Sequence, residues 1–511
     1  MISRFSRRAL PAVAVAALLA GCTGSGGSTD APTAPSAAEL AGEVAPELRV
    51  FYGQRLAWKP CDGEAAVQCA TLRVPLDYAD PAGGTFDVAV ARIGSSDPGR
   101  RIGSLVVNPG GPGNSGVDMV RGGRNDYDGP LRDHYDIVGF DPRGAGRSSP
   151  VNCLDDRARD EWLAADVSGP EHGKVLGDAC LAKYGKLLTH LGTRDSARDM
   201  DVLRAVLGDR RLSYLGMSYG SYLGSVYTEE FPDRVGRLVL DGAIDPAKPQ
   251  AATNIEQYGG YERALHAFAA DCARRAGCPF GDDPDRAAER AAGFLDGLGR
   301  RPLRTEDGRL LTSVAAWSAV FEGLSGDEGG WDSLANALDR AVLGRGDDLL
   351  AYADGYRRRG QDGRYSNSVD AYTAIYCADG ATEVPAGDAL KAAYQELAAR
   401  APLVTRHEPA AELFDPDCRG WPFRSPEKAH PIGSKATTPI VVVGSTGDPV
   451  TTYANARQLT AQLGNAVLLT REGEGHTAYA RSGCVRAAVR AYFVDGTVPA
   501  AGTRCASDPV R

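Results

Sequence analysis

The stretch Arg211-Leu212-Ser213-Tyr214-Leu215-Gly216-Met217-Ser218-Tyr219-Gly220-Ser221-Tyr222-Leu223-Gly224 constrains this chain more than any other. It holds a G-x-S-x-G between a short apolar run (Arg211 to Leu215) and a helix-compatible segment (Tyr219 to Phe231) that stops at Pro232. In that setting Ser218 belongs on a strained strand-to-helix turn, its hydroxyl pushed out at the top of a sheet. The flanking glycines are required because a Cβ at either position would block the turn. A chain with 62 glycines can produce the pattern by chance, so its surroundings must decide what it means.

Those surroundings alternate between buried strands and helices. Thr71 to Pro75 and Phe86 to Ala91 read as early strands, the second with period-two alternation. Gly103 to Asn108 and Tyr135 to Asp141 are apolar runs of buried-strand type. Asp195 to Leu207 carries Met200, Leu203 and Leu207 at helical spacing and stops at Gly208. Arg237 to Asp241 is the next strand. From about Asp245 the composition changes, and Ala251 to about Ala401 is rich in Ala, Arg and Asp, with long helical stretches. The strand pattern returns at Thr438 to Gly444 and Asn465 to Thr470, before a closing helix from Cys484 to Phe493. The expectation is an α/β protein, a parallel sheet covered on both faces, interrupted by a mostly helical insertion.

A serine hydroxyl needs a base, and the base needs a carboxylate to fix its tautomer. Of seven histidines, only His476 lies in a glycine-rich loop after the final strand, Arg471-Glu472-Gly473-Glu474-Gly475-His476-Thr477. Asp448 follows the restored strand directly in Gly444-Ser445-Thr446-Gly447-Asp448-Pro449-Val450. The expected triad is Ser218, Asp448 and His476, with Asp241 the rival acid. An oxyanion hole requires two backbone amides. Tyr219 supplies one; Gly111 in Asn108-Pro109-Gly110-Gly111-Pro112-Gly113 is the expected second, with Gly110 as the alternative.

These segments, with Asp141-Pro142-Arg143-Gly144-Ala145-Gly146-Arg147-Ser148, resemble the α/β-hydrolase peptidases related to prolyl aminopeptidase. The similarity runs from about Leu56 to Cys505 and is nearest the secreted bacterial tripeptidyl aminopeptidases; the Asn108-Pro109 start favours that branch over prolyl aminopeptidases proper. The resemblance implies an α/β-hydrolase fold with a mostly helical cap inserted before the last core strands. It also implies a serine exopeptidase that releases short peptides, tripeptides foremost, from the N-termini of peptide substrates without a cofactor. Asp141 and Arg143 are expected to brace loops beside the site. An aminopeptidase also needs an anion for the substrate ammonium, and Asp379 in Cys377-Ala378-Asp379-Gly380 is the candidate, or else a helix-end aspartate. An esterase using the same triad and a non-catalytic solute-binding lipoprotein are the competing readings.

The termini and cysteines bear on location. Arg4, Arg7 and Arg8 precede an apolar stretch, Leu10 to Ala20, too short to span a bilayer permanently. It ends in Leu19-Ala20-Gly21-Cys22, which resembles a bacterial lipobox with Cys22 the lipidated residue; twin-arginine and general export are both open. The expected organisation is a lipoprotein signal peptide over 1–21, a flexible tether over 22–46, hydrolase core over 47–246, helical cap over 247–432 and core again over 433–511. Of eleven cysteines, ten remain after Cys22, as an oxidising compartment favours. Pairing in sequence order (Cys61–Cys69, Cys153–Cys180, Cys272–Cys278, Cys377–Cys418, Cys484–Cys505) closes five loops without crossing, although other connectivities exist. No C-x-x-C or H-E-x-x-H occurs, so no metal is expected. The net charge of −9 with scattered basic residues gives no sign of nucleic-acid binding. The expectation is an extracytoplasmic monomer, secreted or held at the membrane by its lipid alone.

Overall fold

The apolar run at Gly103 becomes a strand buried at every position, which requires cover on both faces of its sheet. The computed structural model describes residues 39–508, apart from 41, 124–126, 128, 165–169, 276, 381–384, 407–413, 415–417, 419, 424 and 426. The expected signal peptide, Cys22 and most of the expected tether lie outside the described residues. The strands are β1 (Lys59–Cys61), β2 (Glu64–Asp77), β3 (Asp80–Ile93), β4 (Gly103–Asn108), β5 (Tyr135–Phe140), β6 (Leu212–Met217), β7 (Val235–Asp241), β8 (Leu303–Arg304), β9 (Leu310–Leu311), β10 (Ile440–Gly447), β11 (Ala466–Glu474) and β12 (Arg504–Ala506). Ten form one sheet in the order β1-β2-β3-β5-β4-β6-β7-β10-β11-β12. It is antiparallel from β1 to β5 and parallel from β5 to β12.

Alternate residues of the central strands enter different apolar clusters. Val106, Leu238 and Val442 face one, with Met200, Leu203 and Leu223 from helices. Leu105, Val239 and Val443 face the other, with Val120, Val485 and Val489. Side chains alternate across a strand, so these clusters are the two faces of one sheet. The helices that concern the site are α1 (Thr193–Val206), α2 (Tyr219–Glu230), α3 (Gln250–Ala273), α4 (Ser313–Ser325), α5 (Ser368–Ala378) and α6 (Gly483–Asp495). Helices α3 to α5 lie in the segment between β7 and β10, which has an apolar core of its own around Phe268, Trp317 and Leu338. No helix among the described residues is long and apolar enough to cross a membrane.

Three features depart from the sequence expectations. The early strands form a long hairpin, pairing Gln68 with Arg92 through to Asp77 with Asp80, far beyond the two short runs. β12, three residues long, extends the sheet beyond the strand expected to close it. Leu40, assigned by composition to the flexible tether, is 2% exposed and belongs to the main apolar core, so any tether ends before it. Five disulfides join the ten described cysteines as neighbours in sequence order. Asp141 and Arg143 both brace loops. Asp141 accepts from Ser115 Oγ and from the Val117 and Arg147 amides, while buried Arg143 forks onto Asp199.

Candidate active site

Strands β4, β6, β7, β10 and β11 all end on the same side of the sheet; the loops after β4, β6, β10 and β11 carry candidate groups, and Asp241 is the last residue of β7. Ser218 links β6 to α2 with φ +56° and ψ −122°, a conformation that costs an L-residue roughly 1–3 kcal/mol. A Cβ on Gly216 would run into the Gly220 carbonyl, and one on Gly220 would lie 2.9 Å from Asn108 O, which explains the two glycines. The Ser218 amide donates to Asp241 O at 2.7 Å, anchoring the turn to the end of β7. Tyr219 begins α2, where the first amides have no acceptor within the helix.

Asp448 and His476 are brought together. His476 Nδ1 lies 2.9 Å from Asp448 Oδ2 and 3.0 Å from Oδ1. The Asp448 side chain is fully buried and also accepts from the Val450, Thr451 and Thr477 amides and from Thr451 Oγ1. Burial pushes its carboxyl up, but the imidazole charge and these hydrogen bonds outweigh burial and hold it below the usual range. No hydrogen bond joins Ser218 Oγ to His476 in this structure. The two groups flank the end of β7: Ser218 bonds Asp241 O, and a Cβ on the next residue, Gly242, would lie 3.3 Å from His476 Cε1. Serine–imidazole bonds of this kind often tighten only when substrate is present.

Asp241, the rival acid, accepts instead from the Ala478 and Tyr479 amides just beyond His476. Burial raises its carboxyl to about 6, against the pull of those amides. It braces the histidine loop and makes no hydrogen bond to the ring.

In the loop after β4, the Gly110 amide is engaged by Asn108 Oδ1 at 2.8 Å, which leaves Gly111 as the candidate oxyanion donor. Gly110 has φ +86°; an added Cβ would sit 2.9 Å from Tyr219 N and closer still to Met217 O. Gly110→Ala is therefore expected to push the loop off the nucleophile turn and lower kcat by about 100-fold. Steady-state kinetics, with thermal unfolding to verify folding, checks this.

Ser218, Tyr219, Gly111 and Thr451 line a cavity of about 340 Å³, as do Tyr372, Tyr376 and Asp379 of the inserted segment. Among the described residues, no group of three His, Cys, Asp or Glu is placed to hold a metal ion.

Residues 406–505, which carry both Asp448 and His476, match the family model described as TAP-like protein. Over 481 residues the chain is 37% identical to serine protease Hip1 of Mycobacterium tuberculosis, covering 89% of this chain and 91% of that protein. The chain belongs to the TAP-like branch of the α/β-hydrolases. It is 38% identical over 456 residues to carboxylesterase B of M. tuberculosis, covering 86% of each. It is 28% identical over 475 residues to tripeptidyl aminopeptidase of Streptomyces lividans, covering 88% of this chain and 86% of that one.

In this TAP-like hydrolase Asp379 sits just past α5, tied by the Cys377–Cys418 disulfide. Its oxygens accept from the Thr193 amide and hydroxyl at 2.6 and 2.5 Å, and Thr193 Oγ1 also meets the Tyr219 hydroxyl. Asp379 thus satisfies the start of α1 while facing the cavity. Burial raises its carboxyl to about 7, opposed by the Thr193 hydrogen bonds and reinforced by Glu427 and Asp195. Thr193 and the stacked pair Tyr372 and Tyr376, with ring centroids 5.3 Å apart, had no motif to mark them in the sequence.

Proposed function

We propose that this chain is an extracytoplasmic serine exopeptidase that releases short peptides, tripeptides foremost, from N-termini through an acyl-enzyme. The observation that carries the reading is a positive-φ serine at the sheet edge beside a hydrogen-bonded Asp448–His476 pair. His476 takes the Ser218 proton as Oγ attacks the scissile carbonyl. The Gly111 and Tyr219 amides receive the negative oxygen. His476 then protonates the leaving amine, and water repeats the sequence on the ester. Asp448 holds the tautomer and stabilises the imidazolium.

A cavity near the small end of the range for ligand sites supports a short acyl portion. Asp379, in its wall, is the proposed anion for the substrate ammonium. The reading takes 47–246 and 433–511 as hydrolase core, 247–432 as cap, 1–21 as signal peptide, Cys22 as a lipid anchor and the following residues as tether. Five disulfides support an oxidising compartment. The esterase reading draws on the relative named carboxylesterase B. Tripeptidyl arylamides assayed against short acyl esters decide between them; hydrolysis of esters alone would overturn the peptidase reading.

Asp379→Asn provides a pH-resolved check. A carboxyl raised from 3.8 to about 7 on folding is penalised as pH climbs through that window, so it removes stability between about pH 4 and 7. The neutral amide escapes the penalty. The variant should melt about 1–3 °C higher than the parent at pH 8 and match it at pH 4. Its KM for peptides with a free N-terminus should rise at least 10-fold at pH 8, with little change for short acyl esters. Unchanged KM for free-amine peptides would remove Asp379 from substrate binding.

A further inference from the structure

His476 is fixed through its backbone as well as its ring, and the contacts come from outside its own loop. Its amide donates to Ser325 O at 2.9 Å. Ser325 ends α4, so its carbonyl has no acceptor role left within the helix. On the other side of the residue, Arg481 Nε donates to His476 O at 3.0 Å. The same guanidinium reaches Ser325 O at 3.5 Å and pairs with Asp327 Oδ2 at 3.3 Å. A planar fork suits this task, because one rigid group can hold two carbonyls and a carboxylate together. A cation at a helix C-terminus is also favoured by the helix dipole.

The approach is close. Gly475, immediately before His476, has φ +104°, and a Cβ there would lie 2.6 Å from Gly326 O and 3.1 Å from Asp327 Cα. Tyr261 of α3 meets Ser325 Oγ at 3.2 Å and ties the end of α4 to an earlier inserted helix. The imidazole is therefore positioned jointly by the β11 loop and by a turn of the inserted segment.

We propose that the turn Ser325–Asp327 and Arg481 form a positioning clamp on His476, so that the inserted segment must be docked for Ser218 to be activated. This rests on the reading of His476 as the general base. Arg481 and Asp327 touch no reacting atom; they act through the histidine backbone. The inserted segment then does more than enclose substrate. A displacement of α4 away from the sheet would withdraw the acceptor of the His476 amide and release Arg481 from two of its partners.

The test measures the rate at which a fluorophosphonate labels Ser218 in the full-length protein, a reaction that needs nucleophile and base but no particular substrate. The variants are Arg481→Ala, Arg481→Lys, Asp327→Ala, Arg481→Ala with Asp327→Ala, and His476→Ala as control, each with its melting temperature. Arg481→Ala is expected to label about 10- to 100-fold more slowly. Asp327→Ala should lose less, and the double variant should fall no further than Arg481→Ala alone. Added methylguanidinium should restore part of the Arg481→Ala rate, and lysine, which lacks the fork, should rescue only weakly. Turnover of a tripeptidyl arylamide should show the loss in kcat with KM within about twofold, as for a group that acts on the chemical step. Labelling of folded Arg481→Ala and Asp327→Ala at the parent rate, with His476→Ala unreactive, would overturn the clamp. His476→Ala labelling at the parent rate would overturn the base assignment beneath it. Should Arg481→Ala fail to fold, Asp327→Ala decides alone, since its side chain is 38% exposed and lies at the rim of the contact.

Discussion

Ser218→Ala is expected to lower kcat by about 10⁴- to 10⁶-fold while leaving the melting temperature close to that of the parent. The size follows from the proposed mechanism: without Oγ no acyl-enzyme would form, and only the oxyanion amides and substrate binding would remain. The tolerance follows from the structure. Ser218 occupies the N-cap of α2, yet its side chain makes no capping hydrogen bond, so deleting the hydroxyl removes no helix contact. The anchor of the turn is the Ser218 amide on Asp241 O, which alanine keeps. Alanine also meets the same backbone cost at φ +56° that serine does. Kinetics on a tripeptidyl arylamide and thermal unfolding measure the two quantities. A folded variant that turns over normally would sink the nucleophile assignment.

Asp448→Asn should cost about 10⁴-fold in kcat, comparable to other triads in which the acid is made an amide. The carboxylate only accepts, and its surroundings only donate: the Val450, Thr451 and Thr477 amides, the Thr451 hydroxyl and His476 Nδ1. An Asn amide would turn an N–H toward one of these donors. Turned toward the ring, it selects the tautomer whose proton sits on Nε2, the wrong one for accepting from serine. Turned toward the amides, it leaves a buried repulsion. The pH dependence of stability follows as well. The Asp448 carboxyl is held below its ordinary range, so it contributes stability above the unfolded value of 3.8 that is lost as pH falls through the folded value. The parent should therefore lose more stability than the Asn variant on moving from pH 7 into the acid range. Melting curves at both ends check this; equal acid sensitivity would mean that Asp448 is not an ionised partner of His476.

The elements that could be read from the sequence are those whose signal is local. The elbow declares itself because the turn at Ser218 admits only glycine at 216 and 220. Asp448 and His476 stand just after β10 and β11, and the end of a strand in a parallel sheet is a fixed place in space. Pairing the cysteines in sequence order needs no long-range knowledge. What escaped is what depends on distant partners. Arg481, Ser325 and Asp327 meet only after the inserted segment docks, and no spacing connects them. Leu40 looked like tether because its neighbours are small and polar, whereas one buried side chain is enough to end a tether. The β2–β3 hairpin was read short because Pro75, Pro81, Gly83 and Gly84 weaken strand propensity where the ribbon is long and half exposed. The sequence marks Asp379 by its place beside a disulfide, whereas its two hydrogen bonds from Thr193 depend on a partner 186 residues away.

The sheet is also split along the chain: β7 ends at Asp241, while its neighbour β10 begins at Ile440, with Val239 beside Val441. Closing so long a loop adds little to the final entropy, since the cost grows only with the logarithm of its length, but non-local strand pairing slows folding. On the proposed roles, Ser218 is synthesised and can be folded into β6–α2 well before the strands that precede Asp448 and His476 exist. A nascent or C-terminally truncated chain thus carries an inert serine. On that reading, hydrolytic competence arrives only when β10 and β11 pair with β7, so activity reports that the two separated parts of the sheet have joined.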